Sequence, residues 1–120
     1  MARKIVNNAF SSKMVRSKNI WVNFEEISEE EFMKEAHTED AISVVGHPDT
    51  AMLFGLESNR QTIVLEKDDV LFVCELNNTT GTRLPEGIIR MAEIPDGFKF
   101  RFLKITVKDN ILIRLLTKLL

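Results

Sequence analysis

The sequence predicts an α/β domain, with an α+β arrangement as the alternative, in which a single mixed β-sheet is flanked by short helices. Three observations point there. Short β-branched and aromatic runs recur between polar turns, helix-start signals stand between some of them, and no repeat or low-complexity tract breaks the pattern. The 120 residues are the length of one domain, and a chain of that size can bury roughly two-thirds of the surface it exposes when unfolded.

Met1 to Val6 reads as a first strand, running into Asn7-Asn8-Ala9-Phe10-Ser11-Ser12, a loop of short polar side chains suited to turns and caps. A short helical turn is expected over residues 12–16. Ile20-Trp21-Val22-Asn23-Phe24 is β-branched and aromatic and predicts a strand. Ser28-Glu29-Glu30-Glu31 has the form of a capping box, so a helix should follow to about Ala36, its acidic first turn suited to the helix dipole. Ala41 to Val45 is a compact apolar run ended by Gly46, and reads as a buried strand. Pro48 to Phe54 predicts a helix with proline at its first position, where a missing N–H costs nothing. Gln61 to Glu66 and Val70 to Leu76 look like two strands joined by the turn Lys67-Asp68-Asp69, followed by a loop from Asn77 to Gly97. Phe98, Phe100 and Phe102 alternate with Lys99 and Arg101, which predicts a half-buried strand over Phe98 to Val107. In the tail, Ile111, Leu112, Leu115, Leu116 and Leu119 form a helical stripe. The expected division is therefore a domain over residues 1–109 and an amphipathic helical extension over residues 110–120, more suited to a core or an interface than to a membrane surface.

Composition excludes several classes. Hydrophobic residues make up 44% and charged residues 28%, an ordinary globular balance. The 16 Lys and Arg against 18 Asp and Glu leave a net charge of −2. That argues against sequence-independent binding to long nucleic acid, which leans on many phosphate contacts from a basic surface. A small anionic ligand held by a few donors is still compatible. The single cysteine, Cys74, can form no intramolecular disulfide, and its place in an apolar run suits a buried, inert thiol. No apolar run reaches the roughly 18 residues of a membrane span, so a cytoplasmic, membrane-free protein is expected. Two histidines and one cysteine offer no metal-ligand spacing, and neither a metal nor another cofactor is expected.

Three segments could make a site. In Val45-Gly46-His47-Pro48-Asp49-Thr50 a strand ends, Gly46 turns and a helix begins, which sets His47 at a helix start, where free N–H groups favour phosphate and a histidine could act as a general acid. The plainer alternative is that His47 only caps the helix. His37, in the polar stretch Ala36 to Asp40, reads as a surface residue. Asn7 to Ser12 offers amides and hydroxyls that can hold ribose and phosphate oxygens, although turn chemistry alone explains them. Gly81-Thr82-Arg83-Leu84-Pro85-Glu86-Gly87 carries an arginine fork suited to phosphate, with Glu86 three residues on; a surface salt bridge is the alternative.

These segments occur together, in this order, in a known family. On Asn8-Ala9-Phe10-Ser11 with Met14, Gly46-His47-Asp49-Thr50, Asn59-Arg60 and Arg83-Leu84-Pro85-Glu86-Gly87, the chain resembles the small viral and phage ring nucleases that act as anti-CRISPR proteins against type III immunity. The resemblance covers residues 3 to about 107. It implies cleavage of cyclic tetra-adenylate to linear di-adenylates by a homodimer, in the cytoplasm of a host cell if the protein is viral. It implies His47, Arg83 and Glu86 as the catalytic set. Asn8, Ala9, Phe10, Ser11, Gly46, Asp49, Thr50, Arg60 and Thr82 fall on ligand-side positions, and Met14 is expected to pack beneath them. Archaeal-virus relatives often carry a Gln-Arg pair before the glutamate; here Thr82 precedes Arg83, and the Arg-Leu-Pro-Glu-Gly form looks more like the bacterial and phage branch.

A dimer also suits the ligand physically, because a ring with approximate two-fold symmetry can meet the same groups on both halves of an isologous pair. Ribose supplies an internal nucleophile in its 2′-hydroxyl, so cutting can proceed without a metal and end in 2′,3′-cyclic phosphates. Two other classes compete: a module that sequesters the ring without cutting it, and a viral module that binds a host protein or DNA.

Overall fold

The computed structural model describes residues 2–16, 20–78 and 83–109. Thr82 and the tail from Asn110 to Leu120 lie outside the described residues. A single mixed sheet, as expected, organises the chain, with five strands. Its strands are β1 (Lys4–Asn7), β2 (Ile20–Ile27), β3 (Ala41–Ser43), β4 (Val70–Asn78) and β5 (Phe98–Asp109), in the spatial order β2-β5-β4-β1-β3. The central β1 is parallel to both neighbours, with Val6 opposite Ser43 on β3 and Phe72 on β4. β5 runs antiparallel to β4 and to β2, pairing Cys74 with Phe102 and Ile27 with Phe102 on its two sides. The carboxyl ends of β1, β3 and β4 therefore share one edge of the sheet.

Alternation along the strands divides the core between the two faces. Val6, Phe72, Cys74 and Phe102 point to one face. It is covered by α1 (Glu29–Ala36) and α2 (Pro48–Leu53). α1 starts where Ser28 Oγ accepts the Glu31 N–H at 3.0 Å, and it buries Phe32 and Ala36, four residues apart on one side of the helix. Phe54, at the end of α2, packs edge-on against Phe32, Phe100 and Phe102 with ring centroids 5.7, 4.9 and 5.7 Å away. This aromatic cluster fixes the far end of α2 on the sheet, so its first turn faces the carboxyl edge. Ile5, Leu71, Val73, Leu103, Ile105 and Val107 point to the other face, under Met14, Ile63 and Leu65.

Two expected strands differ. Gln61 to Glu66 forms no strand. Its alternation is real, since Ile63 and Leu65 are buried, but the segment lies across a face of the sheet and bonds to the Met14 turn through Leu65 N–H and Met14 O, 2.8 Å apart. A period of two marks a half-buried extended chain whether or not it joins a ladder. The strand expected over Ala41 to Val45 ends at Ser43; beyond it Val44 N–H still donates to Val6 O, and Val45 bridges in parallel to Ser58. Ser43 Oγ donates to Glu57 O at 2.6 Å, and Asn59 N–H to Val45 O at 2.9 Å. Residues 57–59 thus run beside the outer side of β3 and satisfy part of the sheet's free edge.

A buried ion pair ties the amino ends of β1 and β4. Asp69, 2% exposed, accepts from the Arg3 guanidinium at 2.6 Å, from Arg3 N–H at 3.0 Å and from Glu66 N–H at 2.8 Å. Burial pulls the Asp69 carboxyl upward, but these donors outweigh it and hold it below its ordinary value. Asp68, with φ of 71°, makes the tight turn that delivers Asp69 to this position.

Candidate functional site

The first expected segment leaves the end of β1. The last β1–β3 pair is Val6 opposite Ser43, and the segment begins two residues beyond it. Asn7 Oδ1 accepts the Asn8 N–H at 2.8 Å and turns the chain out of the strand. Ser11 then caps a 3₁₀ turn over Ser12–Met14: its Oγ accepts from Lys13 N–H, and its own N–H reaches Met14 Sδ at 3.4 Å. Met14 is buried beneath, as expected. Ala9 and Ser11 are exposed and Asn8 is half-buried. Phe10 is half-buried, its ring edge-on to Phe24 at 5.5 Å, which gives it a packing role on the side of β2.

The second segment leaves β3. His47 is exposed and is the N-cap of α2, its Nδ1 accepting the Thr50 N–H at 3.2 Å; Thr50 Oγ1 lies 3.2 Å from the same nitrogen. The capping role weighed for His47 in the sequence is therefore its geometry here. Backbone N–H can only donate, so in the neutral ring Nδ1 is the acceptor and Nε2 carries the proton. The start of α2 offers fewer free N–H groups than the sequence suggested. α2 has six residues, Pro48 has no N–H, and Thr50's is taken by the His47 ring. Arg60 passes beside the turn that carries His47: a Cβ on Gly46 would stand 3.8 Å from its Cγ.

The third segment follows β4. Arg83 and Glu86 are exposed, and Leu84 and Ile88 pack against the core cluster that contains Val45, Ala51 and Phe54. Gly87 N–H donates to Asp49 Oδ2 at 2.8 Å, which joins this loop to the first turn of α2. Sequence reasoning gave Asp49 and Thr50 to the ligand. In the structure Asp49 accepts from the Gly87 N–H of the loop, and Thr50, which is buried, meets the His47 ring. The His-x-x-Thr spacing was the available signal for the second, since a cap side chain meets the residue three positions on; nothing local announces the first. His37 is exposed as expected, with Nδ1 2.9 Å from Met33 O and Nε2 3.2 Å from Gly55 O, so it bridges the ends of α1 and α2. Cys74 is fully buried, and burial pushes its thiol up to about 12, which leaves it inert. Among the described residues, no group of three or more His, Cys, Asp or Glu gathers as metal ligands, and no helix is long and apolar enough to cross a membrane.

The fold finds a counterpart among known proteins. The STIV B116-like family model matches residues 4–102. The chain belongs to the STIV B116-like family. Among solved structures, B116 of Sulfolobus turreted icosahedral virus shares the fold with a TM-score of 0.70 at 21% identity, covering 88% of this chain and 99% of that one. No curated protein matches the sequence. The STIV B116-like match, to a family of viral proteins, spans every site segment described above, while the end of β5, Leu103–Asp109, lies beyond it.

Proposed function

We propose that this protein is a ring nuclease: a homodimer that binds cyclic tetra-adenylate and cuts it to two di-adenylates, switching off type III CRISPR signalling. The observation that carries the reading is that segments 8–11 and 46–50 follow the carboxyl ends of the parallel β1 and β3, and that the 83–87 loop is bonded to the second of them. Asp49 makes that bond, and open α/β sheets bind ligands outside the carboxyl ends of their strands. Membership of a viral family and the motif resemblance support it. In this reading each chain contributes one His47, one Arg60 and one Arg83, and a two-fold ring is matched by two chains.

In the proposed reaction the 2′-hydroxyl of a substrate ribose attacks the adjacent phosphorus. A P–O bond forms to the 2′-oxygen, and the bond to the 5′-oxygen breaks. The 2′-hydroxyl proton passes to solvent, and the 5′-oxygen takes one from Nε2 of the His47 imidazolium. The proton left on the ring is then on Nδ1, where Thr50 Oγ1, 3.2 Å away, accepts it in place of the Thr50 N–H cap. Arg83 neutralises the phosphate in the transition state, and Glu86 orients Arg83 or the ribose. Two such cuts leave two di-adenylates with 2′,3′-cyclic phosphates and consume no water. Incubation with cyclic tri-, tetra- and hexa-adenylate in excess EDTA, followed by mass spectrometry, tests it. Di-adenylates with cyclic phosphates from the tetra-adenylate are expected. An intact ring sinks the nuclease.

One observation favours a second reading. A histidine that caps a helix needs no proton chemistry, so the same edge could hold the ring without cutting it. Tight binding with no product would identify that sequestering protein.

A further inference from the structure

We infer that Asp49 is a positioning residue that latches the Arg83–Gly87 loop onto α2, and is not a ligand contact. The inference rests on the proposed site and asks how its two halves stay together. A free carboxylate facing a ring of phosphates would repel it. The Asp49 carboxylate is turned instead to the Gly87 N–H, 2.8 Å from Oδ2. Gly87 has φ of 84°, a backbone state that other residues rarely adopt, and this conformation aims its N–H at Asp49. On either side of the latch Leu84 and Ile88 are half-buried against the core cluster that includes Ala51 of α2. The loop is thus held by an apolar anchor at each end and one charge-assisted hydrogen bond between them. Glu86 directly precedes the latched residue and Arg83 lies four residues before it. Asp49, two residues after His47, therefore sets the loop's position relative to the proposed acid.

The test separates the latch from the activity. Limited trypsin digestion of the full chain, with mass spectrometry of the cut after Arg83, reads the loop without any ligand. Asp49→Ala should raise that cleavage rate several-fold at an unchanged far-UV spectrum. Asp49→Asn, whose amide oxygen still accepts the Gly87 N–H, should stay near wild type. With cyclic tetra-adenylate, Asp49→Ala should lower kcat/KM by about 10- to 100-fold, the scale of a misplaced catalytic group, and Asp49→Asn should recover most of it. Unchanged cleavage after Arg83 in Asp49→Ala overturns the latch. Equal loss in Asp49→Asn also overturns it, because the charge and not the accepted bond would then matter. If the wild type cuts no cyclic oligoadenylate while the digestion pattern holds, the proposed reaction falls and the latch stands.

Discussion

At His47 the observed cap and the proposed acid use different ring nitrogens. The cap uses Nδ1 and leaves Nε2 for a ligand. His47→Ala should therefore keep the ring bound and slow cutting by about 10²–10⁴-fold. The lost cap costs about 1 kcal/mol besides. Single-turnover cleavage beside a binding titration checks this, and a variant cutting at full rate removes His47 from the chemistry. Thr50→Val keeps the backbone N–H of the cap but deletes Oγ1, so it should lower kcat with little change in binding, and Thr50→Ser should restore it. Asp69 makes a separate prediction. Its folded carboxyl titrates below the unfolded value of about 3.9. The stabilisation is complete above that value and is lost as pH falls through the lowered folded one. Asp69→Asn should cost on the order of 3 kcal/mol near neutral pH, the low end for breaking a buried pair because Arg3 is a third exposed. The gap to wild type should narrow as pH falls below the ordinary aspartate value, as thermal melts at neutral and acid pH would show.

At the scale of elements, α2 is held at both ends by unlike means. Phe54 closes an aromatic cluster at one end, and His47 and Asp49 make polar bonds at the other. Phe54→Ala should cost about 3–5 kcal/mol, as cavities of that size do, and should loosen the His47 end with it. A denaturant melt measures the loss; a cost below about 1 kcal/mol would show that α2 is fixed by its first turn alone. Most elements were legible because local signals and tertiary packing agree. Pro48 opens α2, Ser28 opens α1, and the alternation of Phe98, Phe100 and Phe102 marks β5. Gln61 to Glu66 was misread as a strand because period two records burial of one side and is silent on which neighbour supplies hydrogen bonds. β2 extends three residues past the expected Phe24, to Ile27, because Glu25 and Glu26 are exposed on an edge strand and give no apolar signal. In the site, residue types and order were legible. The links between segments were not: Asp49 to Gly87 spans 38 positions, and Arg60 meets Gly46 only because residues 57–59 run beside β3.

At the scale of the whole molecule, the proposed chemistry asks for two chains. A ring of four adenylates presents two equivalent phosphodiesters across a two-fold axis, and one chain places one His47 at the sheet edge, so each chain should cut one bond. The protein should therefore scatter light as a dimer at micromolar concentration, and a monomer that still cuts the ring would sink the two-fold arrangement. Mixed dimers sharpen the point. Wild-type chains combined with a tagged His47→Ala chain, and purified through the tag, carry one intact acid per pair. Such dimers should make the first cut at about half the wild-type rate, since one of two equivalent sites remains. The second cut then requires the linear tetra-adenylate to turn over and present its other phosphodiester to the same His47. A linear tetra-adenylate ending in a 2′,3′-cyclic phosphate should thus accumulate before the di-adenylates, a species that wild-type dimers consume as fast as they form it. Time-resolved mass spectrometry follows both products. If mixed dimers release di-adenylates with no linear intermediate, one His47 serves both bonds without release, and the assignment of one bond to each chain is wrong.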